Sequence, residues 1–336
     1  MTGTTETKMT TKTKFKPKRV SKADRISVHA LRKTELPEAK RIFHLAFGTF
    51  LGLPDPMQFF PDRDFVRTRY HTDPSGAVGA SIGGKLIGSN FATDWGSVGF
   101  FGPLTIRPDF WDRGVAQRLL ERTMKRFAQW GTEHIGLFTF AHSARHIGLY
   151  QKFGFWPRFL TAIMSKPVSV VKRRTDWTTF SDSAEKDQPV ILKAISKLTN
   201  SIYDGLNPVR EVMAVHKQRL GETVLLWDKS RLEGFAICHG GPETEAGGGN
   251  CYVKFGAVRA GRTAARAFGQ LLDACESLAH QRGLSRLEAG VNLAREETYY
   301  RMRTRGFRTE MQGVAMQRPN EAGYNRPGVY LIDDWR

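Results

Sequence analysis

The chain has 336 residues, more than one hydrophobic core usually serves, so two domains are expected. Hydrophobic residues at 40% and charged residues at 25% fit a globular protein, and no apolar run reaches the roughly eighteen residues of a helical membrane span. The formal net charge of +18 attracts anions, but the basic residues are spread through both halves without zinc-finger spacing or an RNA-binding signature, so neither a membrane nor a nucleic acid is an expected partner.

Residues 1–25 are rich in Thr and Lys and lack an apolar stretch. They read as a disordered basic arm, not a secretory signal. Residues Ile42 to Phe60 are unusually aromatic, with Phe43, Phe47, Phe50, Phe59 and Phe60. They form either core or an apolar acceptor pocket. Val78 to Gly88 reads as a hairpin turning at Gly83-Gly84.

The segment from Leu104 to Leu120 reads as a strand, a turn and a helix start. Pro108 stops the strand's hydrogen bonding. Gly114 and Ala116 let a ligand approach the backbone. The first N–H groups of the helix lack internal partners and point, with the helix dipole, at an anion such as a pyrophosphate. Asp112, Arg113, Gly114, Val115, Ala116, Gln117 and Arg118 make up this candidate anion site, with Arg113, Gln117 and Arg118 as extra donors. Val115, Leu119, Leu120, Met124, Phe127 and Trp130 then recur at helical spacing up to Gly131, a natural helix stop. A short strand, Ile135–Phe140, and a second helix ending at Gly154-Phe155 follow. Residues 168–190 are polar and read as a linker.

The same order returns in the second half. Val224 to Gly234 is a hairpin, Ala267 to Ala279 a helix before Gly283, Leu287–Val291 a strand, and Gly306-Phe307 the end of a final helix. A shift of 152 positions aligns 100–155 with 252–307 without a gap and pairs Arg107/Arg259, Leu119/Leu271, Leu120/Leu272, Gln129/Gln281, Gly131/Gly283, Gly154/Gly306 and Phe155/Phe307. The chain is therefore expected to be α/β (α+β), with two tandem lobes at 26–167 and 191–336. In this register Gly114 meets Arg266, Ala116 meets Phe268 and Tyr150 meets Met302. The second lobe is expected to be a degenerate copy. The tail segment Tyr330-Leu331-Ile332 is a candidate for a last strand crossing between lobes. Cys238, Cys251 and Cys275 match no metal spacing and their odd number argues against a disulfide framework, so no metal site is expected and a reducing cytoplasm is the expected setting.

Gly114-Val115-Ala116, together with Leu149-Tyr150-Gln151-Lys152-Phe153-Gly154-Phe155, resembles the acyl-CoA motif and the Leu-Tyr-x-x-x-Gly-Phe ending of GNAT-type N-acetyltransferases. Trp111 stands where that family has Gln or Arg. The resemblance implies a mixed, mostly antiparallel sheet flanked by helices in each lobe, acetyl-CoA (CoA) as cofactor, and acyl transfer to a primary amine of a small molecule by direct attack. It implies that Leu104, Thr105 and Ile106 hold the pantetheine arm and that Tyr150 is the general acid. A phenol, with a reference pKa of about 10, is protonated at neutral pH and able to donate. Asp94, His142 and His146 are the candidate bases, with His142 favoured because it directly follows a strand. Ser143 either bonds the cofactor arm or caps the next helix. Two other functions remain open: a non-catalytic acyl-CoA-binding or sensing protein, and an acyl-CoA decarboxylase in which Thr105 and His142 polarise a malonyl thioester. A monomer and a homodimer are both compatible with these motifs.

Overall fold

The computed structural model describes residues 25–170 and 176–336. The reading of 1–24 as a basic arm, and part of the expected linker at 171–175, lie outside the described residues. The N-terminal lobe runs β1 (Ser27–Ala30), α1 (Leu36–Phe50), α2 (Phe65–Thr72), β2 (Ala77–Ile82), β3 (Lys85–Trp95), β4 (Val98–Phe101), β5 (Thr105–Ile106), α3 (Val115–Trp130), β6 (His134–Thr139), α4 (Ala144–Gln151) and β7 (Trp156–Pro167). The C-terminal lobe runs β8 (Trp177–Thr179), α5 (Gln188–Asn200), α6 (Val209–Gln218), β9 (Gly221–Asp228), β10 (Arg231–Gly241), β11 (Gly247–Val258), α7 (Ala264–Gln281), β12 (Arg286–Asn292), α8 (Glu296–Thr304), β13 (Arg308–Arg318) and β14 (Leu331–Ile332).

The expected repeat appears as a fold. Helix α3 buries Leu119, Leu120 and Phe127 and stops at Gly131 in the left-handed region, as its periodicity predicts. Helix α7 buries Leu271, Leu272 and Cys275 in the same way. One stretch departs from expectation. Within the expected linker 168–190, Trp177–Thr179 form β8, which pairs antiparallel with β9. Trp177 packs against the core and Phe180 is fully buried, so these polar-flanked residues still gain apolar burial.

One sheet runs through both lobes in the order β1-β2-β3-β4-β6-β13-β7-β12-β11-β10-β9-β8. The β4–β6 and β11–β12 pairs are parallel and the other pairs of this order antiparallel. Its centre is a strand exchange. Strand β7 of the first lobe pairs with β12 of the second, and β13 of the second pairs with β6 of the first. The two exchanged strands also pair with each other. A shared core follows, in which Trp95 lies 4.8 Å from Phe100 and 5.1 Å from Phe255 across the lobes. No helix among the described residues is long and apolar enough to cross a membrane.

Buried ion pairs join the lobes beside this core. Arg69 pairs with Glu245 at 3.0 Å, and Arg63 with Glu288 at 2.8 Å. Burial pushes the Glu288 carboxyl up, but Arg336 at 2.5 Å and Arg63 outweigh burial and hold it at about 2. Its ordinary value is 4.5. A depressed folded pKa adds stability that is present above the unfolded value and is lost as pH falls through the folded one. Glu288→Gln should therefore lower Tm at neutral pH, and the gap to the unmodified protein should narrow between pH 4.5 and about 2. A Tm series over that range checks this.

Candidate active site

The turn before α3 has the geometry its residues suggest. Asp112 and Gly114 both sit at positive φ, 61° and 74°. Gly114 is the N-cap, and the first turn of α3 carries no acidic residue to offset the helix dipole. A Cβ added at Gly114 would meet only the Gln117 side chain, at 3.8 Å, so the backbone here faces open space. A cavity of about 510 Å³ opens against this turn.

The strands beside the turn are splayed. Strand β4 pairs with β6 only from Val98 to Phe100. Beyond that point the chain swings to the other side, where β5 pairs with β3 through Thr105 and Ile106. Strand β6 continues instead along β13. The gap leaves Leu104, Thr105 and Ile106 as one wall of the cavity. Trp111 donates its indole N–H to the Ile106 carbonyl at 2.8 Å. This bond ties the turn back onto the strand and gives the tryptophan in the motif a structural role.

Helix α4 forms the opposite wall. Tyr150 reaches the cavity from a buried position with its ring 5.8 Å from Phe101. Burial alone raises its pKa, so the phenol keeps its proton well into the alkaline range. His146 lies one turn earlier on the same helix face and also lines the cavity. Burial, then Arg145 and His142, lower its pKa, which favours the neutral imidazole. Its Nδ1 is buried without a partner, and its ring sits 4.9 Å from Phe50.

Not every candidate residue reaches this place. Asp112, Gly114, Val115, Ala116 and Gln117 line the cavity with Leu104, Thr105, Ile106 and Tyr150. Arg113 does not; its guanidinium lies over the Phe110 ring at 5.0 Å. Arg118 donates to the Ile26 carbonyl at 3.2 Å and points away. Ser143 caps α4, accepting from the His146 N–H at 3.4 Å. His142 is exposed, in the turn between β6 and α4, and does not line the cavity; its ring stacks on Phe50 at 6.1 Å. Asp94 pairs with Arg210 at 3.3 Å, away from the cavity. The aromatic segment divides. Phe47 and Phe50 line the cavity, while Phe43 is buried in a core cluster with Phe59 and Phe60 packed on it. Arg145 and Lys152 were not singled out from sequence, yet both line the cavity. The signal for His146 was its four-residue spacing from Tyr150.

In the second lobe the equivalent space is filled. The shift of 152 maps Leu104 and Thr105 onto Gly256 and Ala257, and these are the residues with which β14 pairs. The tail thus lies in the gap between β11 and β12. Helix α7 begins at Ala264, about one turn early, and Phe268 is fully buried 5.7 Å from Tyr330. Met302, at the register position of Tyr150, is fully buried in the same core cluster. Arg295 holds the position of Ser143 and bonds the tail, donating to the Asp333 carboxylate at 2.5 Å and its carbonyl at 3.0 Å. Among the described residues no group of three or more His, Cys, Asp or Glu is placed to hold a metal ion.

Residues 40–155, within the N-terminal lobe, match the model of the acetyltransferase (GNAT) family. The match supports an acyltransferase. No curated protein sequence matches it. Among solved structures, a candidate acetyltransferase from Pyrococcus horikoshii aligns over 96% of this chain and 98% of its own, at 13% identity and a TM-score of 0.67. A GCN5-related N-acetyltransferase from Sphaerobacter thermophilus aligns over 88% of this chain and 96% of its own, at 15% identity and a TM-score of 0.58. These likenesses show a shared fold over nearly the whole of both chains.

Proposed function

We propose that the chain transfers an acetyl group from acetyl-CoA to a primary amine of a small molecule, in the N-terminal lobe alone. The observation that carries this reading is that one cavity joins the Gly114 turn, the strand segment Leu104–Ile106 and Tyr150. The donor's pyrophosphate suits the free N–H groups at Val115, Ala116 and Gln117. Its arm suits the strand edge left open by the splay. The donor supplies an activated thioester; the chain supplies orientation and protons. Tyr150, kept protonated by burial, delivers a proton to the departing sulfur. His146, rather than His142, takes the proton from the attacking amine, directly or through one water. A neutral imidazole on the cavity wall is suited to that role. Phe47 and Phe50 form an apolar wall for the acceptor's body.

The second lobe holds no donor in this reading, because its own tail, Phe268 and Met302 occupy the equivalent positions. Calorimetric titration with CoA should give one site per chain. Incubation with acetyl-CoA and a panel of small amines should release free thiol. Two equivalent CoA sites would refute the single-lobe reading, and the absence of thiol release with every amine would refute transfer.

A further inference from the structure

The cavity mouth carries an ion pair that the proposed reaction does not use. Arg145, near the start of α4, reaches across to the turn before α3. Its Nη2 lies 2.9 Å from Asp112 Oδ1, and its guanidinium is 5.5 Å from the centre of the Trp111 ring. The two side chains are 55% and 80% exposed, so the pair is weak and readily exchanged.

The placing of the two charges is unequal. Asp112 sits two residues before the Gly114 N-cap, where the free N–H groups of α3 favour an anion. Its carboxylate is therefore a resident competitor for any anion at that turn. The cation is needed there for a different reason. The motif position held by Gln or Arg in the resemblance is Trp111, whose indole N–H is committed to the Ile106 carbonyl. Arg113 lies on Phe110, and Arg118 is bonded to Ile26. Among the described residues the cations lining the cavity are Arg145 and Lys152. Of these, Arg145 alone is paired with the anion-binding turn.

We infer that Arg145 binds the donor's pyrophosphate and that Asp112 is its placeholder, a carboxylate that holds the guanidinium at the mouth until phosphate displaces it. This rests on the reading of the cavity as an acetyl-CoA site. It makes opposite forecasts for the two partners. Removing the guanidinium weakens donor binding, whereas removing the carboxylate strengthens it.

The test compares acetyl-CoA with acetyl-pantetheine, which carries the same thioester without phosphates. Arg145→Ala should raise the Kd of acetyl-CoA about tenfold, the scale of a lost charge-assisted bond. It should leave the Kd of acetyl-pantetheine unchanged, and it should flatten the salt dependence of acetyl-CoA binding. Arg145→Lys should recover part of the loss. Asp112→Asn should lower the Kd of acetyl-CoA severalfold. Equal effects of Arg145→Ala on both donors, no effect on either, or weaker binding by Asp112→Asn would each overturn the assignment. Normal acetyl-CoA binding by Arg145→Ala sinks the Arg145 role alone; failure of the unmodified chain to bind acetyl-CoA sinks the site reading and the inference with it.

Discussion

Tyr150→Phe should lower kcat by about two orders of magnitude or more while the Kd for acetyl-CoA stays within about twofold, as expected when a positioned general acid is removed. The substitution removes one oxygen and keeps the ring that packs against Phe101. The fold and the donor site should therefore survive it. The pH profile gives a second readout. Burial raises the Tyr150 pKa above its ordinary 10.0, so the acid form persists across the neutral and mildly alkaline range. Burial, with Arg145 and His142, lowers the His146 pKa below its ordinary 6.5, so the base form is already present at neutral pH. The kcat of the unmodified chain should thus be flat from about neutrality up to about pH 10, the reference value for an unburied phenol. A full-strength Tyr150→Phe enzyme in single-turnover thiol release would remove Tyr150 from the chemistry.

Asp333→Ala should destabilise the protein by about 3–5 kcal/mol, the cost of leaving one member of a buried ion pair without its partner. Arg295 is fully buried, and its Nε and Nη1 have no partners at all. Asp333, itself buried, supplies the carboxylate that neutralises it. Tyr324 also donates its hydroxyl to that carboxylate. Removing Asp333 strands the guanidinium and loosens the tail, so the burial of Leu331, Ile332 and Trp335 is weakened as well. Asp333→Asn keeps an acceptor and should cost less. Urea unfolding of the three proteins measures the differences, and equal midpoints would show that the tail contributes nothing to stability.

The local elements were legible in the sequence because their signals are local. The periodicity of Val115 to Trp130, the stop at Gly131 and the paired Gly-Phe endings each report on a few neighbouring residues. The register of 152 places Gly114 opposite Arg266 and Tyr150 opposite Met302, and in the structure Met302 is fully buried in a core cluster. Three things were not legible. Trp177–Thr179 lie among polar residues, and their strand exists only because β9 offers an edge. Closeness to a strand end favours His142 in the sequence, whereas the residue lining the cavity beside Tyr150 is His146. The partner of each exchanged strand is a matter of distance in the chain. Nothing in Trp156–Pro167 states that β12, more than a hundred residues later, will be its neighbour.

That exchange has a consequence for the order in which the molecule is made. Strand β6 has no completed edge until β13, residues Arg308–Arg318, has been synthesised. The N-terminal lobe therefore leaves the ribosome unfinished and waits for β13. Contacts of such long sequence separation carry a large loop-closure cost and slow folding. During that wait β6 and β7 present open strand edges, the surfaces most prone to pairing with another copy. The exchange makes the two halves interdependent, since β7 pairs with a strand of the second half and β13 with a strand of the first.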